Sequence, residues 1–244
     1  TEITFTPDDT IFPNTKFDFS ILETRFREIA FLNKGIKIIL KDENSKKKET
    51  FFYEGGLVEF VKWVNEGKEP IHKPIYFTKT ENKVVVEVAV QYNLGYQENV
   101  LGFVNTINTV EGGTHLTGFK AAITRTLNDY ARKNGFLKEK DDNLSGDDVR
   151  EGLTSVISVK IKSQELQFEG QTKAKLGNTE ARTAVETVIN TEFADWLDKN
   201  PNDARSILEK VLLASKARMA AKAARETVLR KGALEGMTLP GKLA

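Results

Sequence analysis

Apolar residues recur along this chain at two periods, and the points where the period changes divide it into elements. Near the start, Ile3 and Phe5 alternate with Glu2, Thr4 and Thr6 as a half-buried strand would, and Pro7, Asp8 and Asp9 end the run. Phe19, Leu22, Phe26 and Ile29 then return at helical spacing behind a capping box of Ser20 and Glu23, until Asn33, Lys34 and Gly35 close the helix. Ile36 to Leu40 predicts a strand, Lys41 to Thr50 a charged hairpin loop, and Phe51 to Tyr53 the returning strand. Gly55 and Gly56 mark a first domain boundary, after which Leu57, Phe60, Val61 and Val64 predict a short amphipathic helix stopped by Pro70 and Pro74.

The clearest period of two follows. Val84, Val86, Val88, Val90 and Tyr92 alternate with Val85, Glu87, Ala89 and Gln91, which predicts a strand, with a turn over Asn93 to Gly95 and a second strand over Glu98 to Asn105. Gly112 and Gly113 lead into a helix with Phe119, Ile123, Leu127 and Tyr130 on its apolar side, closed by Asn134 and Gly135. Phe136 to Gly146 alternates acid and base and reads as a mobile excursion, Ser145 caps a brief helix through Asp148, and Ile157, Val159 and Ile161 mark another strand. Asn178 opens a helix whose Ala181, Ala184, Val185, Val188, Ile189, Phe193, Trp196 and Leu197 form one stripe. Asn200 and Pro201 restart the chain into a last helix reaching Lys231, with Gly232 as its stop. Its first half carries Ile207, Leu208, Val211 and Leu212; its second is alanine-rich and basic, with Lys216, Arg218, Lys222, Arg225, Arg230 and Lys231 against Glu226.

Composition narrows the chemistry more than it suggests any. With 36 basic and 35 acidic side chains in 244 residues the net charge is +1, so no global field points to a nucleic acid or a membrane. There is no cysteine, which removes disulfides, thiolate catalysis and cysteine-bound zinc, and the two histidines, His72 and His115, leave little material for a metal site or a triad. No apolar run approaches the roughly 18 residues of a membrane span, and Thr1 to Thr10 lacks a signal-peptide pattern. A chain opening at Thr1 rather than methionine is expected to be an excised or processed piece.

Few segments could carry chemistry. Gly112 to Lys120 is the nearest approach to a phosphate-binding P-loop and fails it, because Phe119 separates Gly118 from Lys120. Gly112 and Gly113 could offer a helix N-terminus to an anion, or simply make a tight strand-to-helix connection, which the spacing favours. Asp8, Asp9, Asp147 and Asp148 sit where capping explains them, and His115 reads as a local hydrogen-bonding group. The basic half of the last helix could meet DNA phosphates, though it has no aromatic for stacking and fits a solvated connector better. The polar stretch from Phe168 to Gly177 is bounded by Gly170 and Gly177 and leaves Lys173 and Lys175 free to meet a negative group. An ammonium suits a terminal phosphate, and in an extended segment Gln171 and Lys173 would face the same way and address one phosphate together. On these residues alone, a surface loop remains the plainer reading.

The string Phe168-Glu169-Gly170-Gln171-Thr172-Lys173-Ala174-Lys175-Leu176-Gly177 resembles the motif of the B subunits of bacterial type IIA topoisomerases, DNA gyrase and topoisomerase IV, in which a Gln-Thr-Lys loop reaches ATP. Tyr53 to Gly56, Glu111 to His115, Gly146 to Leu153 and Leu239 to Ala244 resemble further strings of that family, in the same order and across essentially the whole chain. The resemblance implies an α+β chain: the end of a GHKL-type ATP-binding α/β sandwich over 1–53, a ribosomal protein S5 domain 2-like transducer domain with a long C-terminal helix over 54–231, and a linker toward the TOPRIM domain over 232–244.

It also implies roles. Thr1 matches a threonine that helps hold adenine, Lys173 the lysine at the ATP γ-phosphate, Gln171 its neighbour there, and Lys120 a basic position facing the cavity that holds a DNA segment. By the same resemblance the complete protein is cytoplasmic, uses ATP and Mg2+, acts on DNA with the gyrase A protein in a heterotetramer of two A and two B chains, and self-associates on binding ATP. The catalytic glutamate, magnesium-binding asparagine, glycine-rich lid, acidic cleavage residues and strand-breaking tyrosine have no counterpart in these 244 residues, so alone the chain is expected neither to hydrolyse ATP nor to cut DNA. A topoisomerase IV fragment, and a basic DNA-binding or dimerisation module that never meets nucleotide, are the competing readings.

Overall fold

The computed structural model describes residues 8–42 and 45–235, with the side chains of residue 163 and of residues 230–235 left aside. The strand expected near the N-terminus, Thr1 with it, and the Leu239 to Ala244 string lie outside the described residues. Contacts divide the chain into two units, 1–60 and 61–244.

In the first unit, α1 (Phe19–Leu32) precedes a two-stranded antiparallel ribbon of β1 (Ile38–Lys41) and β2 (Lys48–Phe51), and α2 (Leu57–Val64) begins. The cap of α1 is Asp18, whose Oδ1 accepts from Ser20 N at 2.8 Å, and not Ser20. The expected partner Glu23 instead pairs with Arg27 at 2.6 Å, because one turn along the helix a cation is nearer than the N-terminus. The small core of this unit holds Ala30, Phe31, Leu32, Phe51, Leu57 and Phe60, with the Phe31 ring stacked on Tyr53 at 3.7 Å and on Phe60 at 4.8 Å, while Ile11, Phe12, Phe17 and Ile21 remain exposed.

The second unit is built on one mixed sheet. It contains β3 (Ile75–Glu81), β4 (Val84–Tyr92), β5 (Asn99–Val104), β6 (Ile107–Asn108), α3 (Thr114–Lys133), α4 (Gly146–Arg150), β7 (Leu153–Lys160), β8 (Phe168–Glu169), β9 (Lys175–Leu176), α5 (Thr179–Val188), α6 (Ala194–Lys199) and α7 (Pro201–Glu235). The sheet order is β3-β4-β7-β5-β6, antiparallel throughout except that β5 and β7 run parallel. Strand β3 was not legible in the sequence: it forms a hairpin with β4 through Asn82 and Lys83, both at positive φ, a two-residue turn made without glycine. Strand β4 alternates only in its first half, since Val88 through Tyr92 are buried on both faces.

One face of the sheet is covered by α3 and α5, whose Phe119, Ile123, Leu127, Ala181, Val185 and Val188 join the strand valines in a single core. Gly118 lets the two helices meet closely, as a Cβ there would lie 2.7 Å from Arg182 O. Between α5 and α6, Ile189–Phe193 forms one turn of π-helix that the apolar stripe does not reveal. The segment after α3 is pinned and not loose: Arg132 donates to the carbonyls of Lys138 and Asp141, Asn128 and Leu144 exchange two hydrogen bonds, and Leu137 and Leu144 are buried. Helix α7 runs through Gly232 to Glu235, about 52 Å at the standard rise. Its first half packs on the core through Ala204, Ile207, Leu208 and Val211, and every residue from Lys216 to Leu229 is exposed. No helix among the described residues is long and apolar enough to cross a membrane.

Candidate functional site

The excursion between β7 and α5 closes on itself as a small hairpin. Phe168 pairs with Leu176 and Glu169 with Lys175, leaving five residues, Gly170 to Ala174, as the tip. Gly170 is at φ 80° and Lys173 at φ 55°, and Lys173 N donates to Gly170 O at 3.4 Å, so the tip is a turn. That overturns the expectation of an extended segment with Gln171 and Lys173 on one face: alternation applies to strands, and the paired strand ends at Glu169. A lysine in the left-handed region costs about 1 kcal/mol, and such strain persists where the surroundings over-determine it.

The two lysines of the motif differ in their electrostatics. Lys175 stands opposite Glu169 in the hairpin register, and their side chains form an ion pair at 2.9 Å. Lys175 is therefore occupied, contrary to the expectation that both lysines are available. Lys173 and Gln171 are exposed, and neither side chain has a hydrogen-bond or ion-pair partner among the described residues.

Below the tip, the root is tied to the start of α3. Glu111 N donates to Ala174 O at 3.0 Å and Leu176 N to Gly112 O at 3.3 Å, and Gly113 bridges Leu176 in parallel register. Gly113 is at φ 140°, and a Cβ on it would fall 2.6 Å from Leu176 N and 2.7 Å from Leu176 O. Gly113 thus admits the returning strand of the hairpin against the start of α3. Asn178, fully buried, completes the root: its Oδ1 accepts from Gln167 N at 2.7 Å, its Nδ2 donates to Glu165 O at 2.7 Å, and its carbonyl accepts from Thr114 Oγ1 at 2.5 Å. Asn178 precedes α5 as the sequence predicts, yet its side chain makes no capping bond to that helix.

Lys120 lies one to two turns along α3 from the root, half exposed, and pairs with Glu98 at 2.5 Å; Arg150 pairs with the same carboxylate at 2.8 Å. Burial pushes the Glu98 pKa up, and the hydrogen bonds from Lys120 and Arg150 outweigh it, for a net lowering. The structure does not bring Lys120 together with Gln171 and Lys173 in any bond.

Both histidines are buried and structural. His72 Nε2 accepts from Tyr92 N at 2.9 Å and its Nδ1 contacts Lys73 O at 2.7 Å, which fixes a neutral ring with its proton on Nδ1. His115 Nε2 meets Thr109 Oγ1 at 3.2 Å, and burial lowers its pKa to about 4. Asp148 caps as expected, forming a complete capping box with Ser145, whereas Asp147 is exposed and pairs with Arg150 at 2.9 Å. Asp148 also receives both nitrogens of Arg218 at 2.7 and 2.9 Å. No group of three or more His, Cys, Asp or Glu that could hold a metal ion occurs among the described residues.

The model of the DNA gyrase B family matches residues 56–227. Across the full chain, identity is 54% to the DNA gyrase B protein of Clostridium acetobutylicum, of which the chain covers 38%, and 49% to that of Thermotoga maritima, of which it covers 39%. Of solved structures, the ATPase domain of Thermus thermophilus gyrase B in complex with an aminocoumarin superposes with TM-score 0.78 at 43% identity, covering 91% of this chain and 59% of that one. The topoisomerase IV ATP-binding domain of Francisella tularensis follows at TM-score 0.72 and 28% identity, covering 87% and 57%.

Proposed function

The chain belongs to the DNA gyrase B family, and from that premise we propose that it is the part of a gyrase ATPase subunit that senses bound nucleotide and passes the signal toward the DNA gate. In this reading residues 1–53 end the ATP-binding domain, 54–231 are the transducer and 232–244 lead to the TOPRIM domain. The proposed whole is a protein that couples ATP to strand passage and negative supercoiling of DNA, together with gyrase A chains and with self-association on ATP.

The observation that carries the reading is Lys173: an uncommitted ammonium on a strained turn whose root is held from several sides. A cation with no partner among the described residues, on a fixed base, suits a terminal phosphate presented by another domain. Gln171 on the same tip adds an amide donor. Thr1 is proposed at adenine and Lys120 at the DNA cavity, where release from Glu98 would free its charge for phosphates. ATP with Mg2+ supplies the transferable phosphoryl group and its charge neutralisation. In this reading the chain's part is to hold the terminal phosphate oxygens from one side, through the exposed Lys173 and Gln171.

If Lys173 meets that phosphate, the angle between the transducer and the ATP-binding domain depends on whether the phosphate is present, and differential affinity for the two arrangements biases domain geometry. Helix α7, packed at its start and exposed from Lys216 to Leu229, is the element able to carry that bias outward. Lys173→Ala in the complete gyrase B protein is expected to lower ATP turnover about 100-fold, since charge-assisted contacts at a phosphoryl group are worth a few kcal/mol, with no loss of thermal stability. Near-normal turnover would remove Lys173 from the mechanism.

A further inference from the structure

Asn178 stands at the mouth of the excursion, where an asparagine before a helix would ordinarily spend its side-chain oxygen on an amide of the first turn. It does not. The oxygen takes Gln167 N at 2.7 Å, just before β8, and the amide nitrogen donates to Glu165 O at 2.7 Å and to Glu180 Oε1 at 2.5 Å. The backbone carbonyl of Asn178 accepts from Thr114 Oγ1 at 2.5 Å, and Gly177 N closes the ring by donating to Gln167 O at 2.7 Å. Helix α5 therefore forgoes a side-chain cap, and the carboxamide instead ties the chain just before β8 to the residue just before α5. Asn178 is itself fully buried and each of its bonds is partly so. Buried hydrogen bonds of this kind confine geometry more strongly than exposed ones.

We propose that Asn178 is a positioning residue for Lys173: its carboxamide locks the two legs of the excursion at the start of α3, so that the tip presents the ammonium in one place. This rests on the reading of Lys173 as the phosphate-sensing group, and acts through it. Holding a charged group within a fraction of an ångström of its target is worth large factors in rate, and loosening the base from which it projects lowers the fraction of time the contact is made. The loss should fall on kcat more than on KM, because Lys173 contributes to one phosphate and not to the rest of the nucleotide.

The experiment measures steady-state ATP turnover of the complete gyrase B protein carrying Asn178→Ala, Lys173→Ala and both, with Thr114→Val as a milder variant that removes one strut of the root and keeps the side-chain shape. The expected result is a drop in kcat of roughly tenfold for Asn178→Ala with KM within about twofold, a smaller drop for Thr114→Val, and no further loss when either is added to Lys173→Ala, the pattern of residues acting as a unit. Normal turnover for Asn178→Ala and Thr114→Val beside a large loss for Lys173→Ala would overturn the positioning role and leave the Lys173 reading standing. Near-normal turnover for Lys173→Ala would overturn both. Multiplying losses in the double variant would show that Asn178 acts independently of Lys173 and likewise overturn the proposal; should Asn178→Ala fail to fold, Thr114→Val decides through the same comparisons.

Discussion

At the root of the excursion, the amides of Glu111, Leu176 and Gly177 and both ends of the Asn178 carboxamide are spent inside the fold. At the tip, a few residues away, Gln171 and Lys173 are exposed with no side-chain partner among the described residues. The contrast separates two demands within one ten-residue string. The root satisfies buried backbone groups, which cost free energy if left unpaired, and the side chains of Gln171 and Lys173 make no hydrogen bond or ion pair among the described residues. Root substitutions should therefore register in stability, and tip substitutions in activity alone. Helix α7 repeats the division: Arg218 is clamped to Asp148 while the residues that follow, through Leu229, are exposed.

The largest stability effect expected at the root is Gly113→Ala. The added Cβ would meet two backbone atoms of Leu176 in a conformation that L residues rarely adopt, and overpacking with backbone strain costs roughly 3 kcal/mol. Urea unfolding of this chain should show that loss, while Lys173→Ala should leave the midpoint in place. An unchanged midpoint for Gly113→Ala would mean the root is not the rigid base described here.

Next in size is a pH effect. His115, the second residue of α3, is buried and neutral, with its pKa lowered to about 4 against 6.5 when exposed. Its folded pKa lies below its unfolded one, so the contribution is fully present above pH 6.5 and is lost as pH falls toward 4. Between about pH 7 and about pH 5 the root should lose about 2 kcal/mol of stability from this group; a His115→Gln variant should flatten that slope. The burial of His72 lowers its pKa in the same direction, so the variant removes part of the slope and not all of it.

The smallest effect is at the clamp on α7. Arg218 is partly exposed and Asp148 buried, and the bidentate pair is held further by Ser145 N. Arg218→Ala should lower stability only slightly, because solvent screens its exposed guanidinium, and Asp148→Ala should lower it more, because it also dissolves the capping box of α4. Equal costs would show that the helix clamp, and not the cap, is what Asp148 serves.

How much of this was legible follows from the physics of each element. Period-two valines announced β4, whose first half has one face in the core, and the 3.6-residue stripes announced α3 and α5, each with one face in the core. Strand β3 escaped because its turn uses Asn82 and Lys83 at positive φ, where a glycine signal is expected and none stands. The π-turn at Ile189–Phe193 escaped because one inserted residue leaves the apolar stripe intact. At the site, the family strings pointed to Lys173 and Gln171, but the bonds joining Asn178 to residues 165 and 167, and Gly113 to Leu176, connect positions whose pairing no local pattern encodes. Lys175 looked equivalent to Lys173 until the hairpin register placed Glu169 opposite it.

The measurement that bears most directly on the division between root and tip is a structure of the complete ATPase region with a non-hydrolysable ATP analogue. The expected result is Lys173 Nζ at about 3 Å from a terminal phosphate oxygen, with the Asn178, Gly112 and Gly113 contacts of the root unchanged. A Lys173 side chain left in solvent while nucleotide fills the site would contradict the account.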